Sequence, residues 1–152
     1  MRSLLLLGLV ALAACGEREN FRIYDPELRP PLGGRDVGAV YMEFQNFAFD
    51  LALVRAESPE ASVIEMHETT RNEAGVASME KLDRIDIPYG ERTVLEKGGL
   101  HLMVFGLTAE EAEDGIELTL TFDDGSETTL TVRPKADDEA DEASGDAAGS
   151  GD

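Results

Sequence analysis

Cysteine occurs once in this 152-residue chain, histidine twice and tryptophan not at all. One cysteine excludes a disulfide framework, a CxxC redox pair and a thiolate cluster. Basic residues are scarce, with 13 Lys and Arg against 32 Asp and Glu and a net charge of −19. That balance disfavours nucleic acid as a partner, because phosphate binding draws mainly on Lys and Arg. It suits solubility or a basic protein partner. No Ser-His-Asp pattern with a nucleophile turn, phosphate loop or HExxH motif is present, so an enzyme is not expected. No apolar run is long enough for a membrane-spanning helix, which needs about 20 residues.

The apolar run that does exist, Leu4 to Ala14 after Met1-Arg2, has the length of a signal-peptide core. It closes on Leu12-Ala13-Ala14-Cys15, which looks like a bacterial lipobox. On that likeness residues 1–14 are a lipoprotein signal peptide and Cys15 is the lipidated first residue of the mature protein. Residues 15–20 are then a short stem, and the membrane is reached through the lipid anchor only. Residues 135–152 are, after Lys135, only Ala, Gly, Ser and acid, with no large apolar side chain, and are expected to be a disordered acidic tail.

Between the ends, residues 21–134 have the length of one domain with one core. Short apolar runs alternate there with turn residues, and no segment shows a helix of several turns. Strands are expected at Val37–Phe44, Asp50–Ala56, Ser62–Glu68, Val76–Leu82, Ile85–Pro88, Arg92–Leu95, Leu100–Leu107, Ile116–Phe122 and Glu127–Val132. The Asp/Gly turn at residues 123–126 is the strongest hairpin signal. Thr108 to Asp114 reads as a single helical turn. Eight or so short strands at this spacing predict an all-β fold, an antiparallel sandwich or Greek-key barrel.

What the chain does have is a spaced set of soft ligands: His67, eleven residues, Met79, twenty-one residues, His101, one residue, Met103. Thioether sulfur with imidazole nitrogen is a donor set that suits Cu(I). His101 and Met103, two apart on a strand, project from one face. A hairpin centred near Glu73 sets His67 roughly opposite Met79, within cross-strand reach. Met66 and Met42 read as core residues, and Glu65 and Glu68 as solvated surface, with a carboxylate that orients a ligating histidine as the alternative. The blue-copper arrangement needs a Cys thiolate, which the chain lacks once Cys15 is lipidated. A site of His and Met alone favours the reduced ion. Since imidazole must be neutral to ligate, affinity is expected to weaken at acidic pH.

This spacing resembles that of the PCu(A)C family of periplasmic copper chaperones. GAVYMEFQN (Gly38 to Asn46), MHE (Met66 to Glu68), IDIPYGE (Ile85 to Glu91) and LEKGGLHLMVFGL (Leu95 to Leu107) are similar to its sequence blocks. Glu68 stands where many members carry Met, and the tail lacks the His and Met of some relatives' extension. The resemblance implies a cupredoxin-like antiparallel Greek-key β-sandwich with an exposed Cu(I) site at His67, Met79, His101 and Met103. It further implies a periplasmic, membrane-anchored copper chaperone that delivers the ion to an apo-acceptor of respiratory oxidase assembly, the cytochrome c oxidase copper centre. The alternative is an acidic β-sandwich protein-interaction module on the cell envelope, without metal.

Overall fold

The computed structural model describes residues 21–135. The expected signal peptide, lipidated Cys15 and its stem, and the acidic tail beyond Lys135 lie outside the described residues. The described chain forms ten strands and one short helix: β1 (Phe21–Arg29), β2 (Val37–Asn46), β3 (Leu51–Glu57), β4 (Val63–Arg71), β5 (Ala77–Leu82), β6 (Ile85–Ile87), β7 (Arg92–Leu95), β8 (Leu100–Phe105), α1 (Ala109–Glu113), β9 (Ile116–Phe122) and β10 (Glu127–Pro134).

The strands join in the order β5-β4-β8-β7-β2-β1-β10-β9-β3-β6, with β8 also pairing β2. The sheet folds over itself, so that β9, β3 and β6 face the remainder across the core. This is the all-β sandwich that the strand spacing predicted, in the cupredoxin-like form that the family resemblance implied. Pairing is antiparallel except for two short parallel matches, β1 with β10 and β7 with β8.

β2 shows why the sequence folds this way. Its residues alternate strictly between buried and half-buried, as the period of two along a strand requires. Val40, Met42 and Phe44 point inward and meet Leu102 and Val104 of β8, Met66 of β4, and Leu118, Leu120 and Phe122 of β9. Fully burying a side chain of this size stabilises the fold by about 1.5–3 kcal/mol. Met42 and Met66 are thus core residues, as expected.

β1 is the strand that the sequence did not announce. Asp25 takes a positive φ of 47° ahead of Pro26, and the register with β2 slips between Tyr24 and Glu27. The bulge breaks the alternation by which a strand is recognised. The expected helical turn is present as α1, closed by a capping box in which Thr108 and Glu111 satisfy each other's backbone N–H groups. Gly115 follows it at a φ of 86°, where a Cβ would come within 2.6 Å of the Val132 carbonyl oxygen.

Candidate metal centre

Because Val40, Met42 and Phe44 of β2 point inward, Ala39, Tyr41 and Glu43 point outward. The register carries that alternation across the sheet: Ala39 pairs with Met103, Met103 with Glu65, and His101 with His67. All four residues of the soft set therefore stand on one outer face. The pairing of β4 with β8 puts the two histidines side by side, with ring centroids 5.9 Å apart. Met103 follows His101 on the same strand and lies diagonal to His67. Nothing local dictates that pairing, which joins residues 34 apart in sequence.

Met79 departs from the expectation. It pairs with Thr69, whereas His67 pairs with Lys81. The hairpin turns about Ala74 instead of Glu73, which moves the register by two residues. Asn72 is the cause: its Oδ1 accepts from the backbone N–H of Ala74 and of Val76, at 3.1 and 2.9 Å. The Asn72 and Gly75 backbones complete the loop, with Gly75 at a φ of 78°. Met79 consequently sits on the His67 face but one row away, diagonal to His67, on edge strand β5 and 53% exposed.

The two rings are oriented by their neighbours. The His101 Nδ1 lies 2.9 Å from the Gly99 carbonyl oxygen, which can only accept, so Nδ1 carries the proton and Nε2 is left with the lone pair. The His67 Nε2 lies 2.9 Å from Glu65 Oε2. An ionised carboxylate likewise only accepts, so a neutral His67 offers Nδ1 as its free donor atom. That Nδ1 is buried and has no hydrogen-bond partner. Buried polar atoms are nearly always partnered, and an exception calls for a reason such as an absent ion. His101 is only 5% exposed despite its outward position, with Tyr41 (ring centroids 6.5 Å apart) and His67 beside it.

Glu65 thereby takes the alternative role the sequence offered, a carboxylate beside a candidate ligand, and not that of solvated surface. Lys81 on β5 donates to its Oε1 at 2.6 Å while His67 holds its Oε2. Lys81 first, then His67, keep the Glu65 carboxyl below its usual range despite some opposing desolvation. The spacing Glu65-x-His67 places both on one face of a strand and was the available signal; Lys81 needed the observed register. Glu68 is exposed, as expected. An open groove of about 340 Å³ on the far side of Tyr41 is lined by Glu27, Arg29, Glu43, Val94 and Lys97 among others, and by none of the four soft residues.

A family model described as "Putative lipoprotein LpqE-like" matches residues 21–133. A lipoprotein-named relative in Leifsonia xyli subsp. xyli is 34% identical over 104 residues, covering 67% of this chain and 63% of its own. The chain thus spans somewhat under two thirds of that relative's length. Among solved structures, the copper-bound PCuAC domain from PmoF2 is similar at a TM-score of 0.63 and 24% identity, covering 78% of this chain and 94% of that domain. Apo-DR1885 from Deinococcus radiodurans is similar at 0.57 and 24%, covering 89% and 95%. Its Cu(I) form is similar at 0.54 and 25%, covering 76% and 81%. With the family model spanning nearly the whole described domain, the chain belongs to the LpqE-like family, and its fold is the one seen in PCuAC domains.

Proposed function

We propose that this domain is a periplasmic copper chaperone, anchored to the membrane through a lipid on Cys15, that binds one Cu(I) through His67, Met79, His101 and Met103. The observation that carries the reading is the His67–His101 pair, with His67 Nδ1 buried and unpartnered between elements of the central sheet. Two imidazoles at this separation fit one ion between them, since first-row metal–nitrogen bonds are about 2.0 Å long. Met103 supplies a thioether from the next outward position on β8, and Met79 a second from the edge. Thioethers lose no proton on binding and select the reduced ion.

Such a set serves a carrier. It offers no thiolate for a redox-active copper centre, and a ligand on an exposed edge strand can be replaced stepwise by a partner's ligand. The recipient is proposed to be an apo copper centre in respiratory oxidase assembly. A Cu(I) titration against a competing chromophoric chelator, run beside a His101→Ala/Met103→Ala double variant, tests the site. One tightly held equivalent, largely lost in the variant, is expected. Equal binding in both proteins would dismiss the site and leave an acidic interaction module as the better account. Copper transfer to a purified apo oxidase subunit tests the recipient separately.

A further inference from the structure

Among the described residues, three of the four exposed large aromatics stand on two neighbouring loops. Phe47 and Phe49, on the loop between β2 and β3, are 47% and 43% exposed, and Tyr89, on the loop between β6 and β7, is 61% exposed. The two loops are bound to each other. Asn46, fully buried, donates through Nδ2 to the carbonyl oxygens of Phe49 (2.6 Å) and Ile87 (2.7 Å), and its Oδ1 accepts from Ala48 N–H. The Asn46 backbone bonds to Gly90 and Glu91, and Tyr89 N–H donates to Asp50. The three aromatics therefore stand on a braced platform and do not collapse inward.

The first described residue lies at the same place. Phe21 pairs with Asn46, and the guanidinium of Arg22 sits 5.6 Å from the centre of the Phe47 ring. Phe21 is six residues beyond Cys15, a stretch that reaches at most about 22 Å even when fully extended. Any lipid on Cys15 therefore holds this end of the sandwich close to the bilayer. Acid stands at both ends: at the other end α1 follows β8 and carries Glu110, Glu111 and Glu113. At the aromatic end Asp50, Asp123 and Asp124 accept from the backbone N–H groups of Tyr89, Ala52 and Ser126. Glu73 and Glu91 have no side-chain partner among the described residues there, which suits a zwitterionic surface better than an anionic one.

We infer that Phe47, Phe49 and Tyr89 form a membrane-docking platform that seats the domain end-on on a zwitterionic lipid surface. The inference rests on the anchor at Cys15 proposed above. Aromatic rings with an apolar body and, in Tyr89, a polar tip favour the headgroup boundary. Docked this way, the proposed metal site faces sideways: Tyr41, beside His101, is five strand residues from Asn46, or about 17 Å. The site then stands clear of lipid, at the height of a membrane protein's outer surface.

The absence of tryptophan makes the test free of background. Single-tryptophan variants Phe47→Trp and Leu32→Trp of the full lipidated protein are reconstituted with phosphatidylcholine vesicles containing bromine-quenched acyl chains. Leu32, 68% exposed on the loop between β1 and β2, marks the opposite end. Vesicle flotation reports the anchor, and quenching reports the docking. Expected are flotation of both, with most of the Phe47→Trp emission quenched and shifted to the blue and the Leu32→Trp emission unchanged. Flotation with neither residue quenched, or with both quenched alike, overturns end-on docking and leaves the anchor standing. Failure to float overturns the anchor, and the docking with it.

Discussion

The pair β4 and β8 and the edge strand β5 divide the proposed ligands unequally. His67, His101 and Met103 stand on strands paired on both sides, whose inward residues Met66, Leu102 and Val104 are locked in the core. Met79 stands on a strand paired on one side only, whose residues are exposed except for half-buried Leu82. Segments with little buried apolar surface open at lower free energy than the core. A copper centre of the proposed kind would have a preorganised half to hold the ion and a yielding half through which it could leave. A uniformly rigid centre would bind well and release poorly.

The largest effect should come from the rigid half. His101→Ala is expected to lower Cu(I) affinity by more than ~100-fold, since loss of an outer partner alone costs about 10–100-fold. Met79→Leu should cost less than about tenfold, or ~1.4 kcal/mol. Chelator competition on both variants measures the ratio. Equal losses would show that the edge holds the ion as firmly as the centre and would break the division.

Glu65→Gln probes how the rigid half is held. The carboxylate fixes His67 from one oxygen and takes the Lys81 ammonium on the other, tying β5 to β4 beside the site. Removing the charge should lower Cu(I) affinity by about 10–100-fold, the range for partners that orient a ligating histidine. Far-UV circular dichroism should be unchanged. An affinity equal to wild type would mean that β4 and β8 alone set the ring.

How much of this could be read in advance follows from the range of each interaction. The strands of β2 and β9 carry their own alternation, and α1 its own capping box, so both were legible locally. His101 and Met103 share a strand, and their common face followed from the period of two. The contact of His67 with His101 is a matter of tertiary pairing, and no local pattern contains it. The hairpin register was missed because one side chain, Asn72, places the turn a residue later than the midpoint of the loop suggested. β1 was hidden by its Asp25-Pro26 bulge. Lys81 carried no signal of its own until that register put it opposite His67.

The smallest effect serves as the control, because it lies on α1, away from both halves of the centre. Thr108→Ala removes the cap and should destabilise the fold by ~1 kcal/mol at neutral pH, read by chemical denaturation, with Cu(I) affinity unchanged. The cost should depend on pH in a fixed direction. The backbone N–H of Thr108 first, then its hydroxyl, hold the Glu111 carboxyl below its ordinary value of 4.5. A carboxyl depressed in the folded state contributes stability above its unfolded pKa and loses it as pH falls through the folded one. The gap between Thr108→Ala and wild type should therefore be full at pH 7 and shrink below about 4.5 as Glu111 takes up its proton. A gap that stayed constant into that range would assign the cap to the hydroxyl's acceptance of the Glu111 N–H alone, with nothing from its bond to the carboxylate. A change in Cu(I) affinity would show that the helix end and the metal face are coupled, and the contrast between β5 and the central strands would then no longer account for the site by itself.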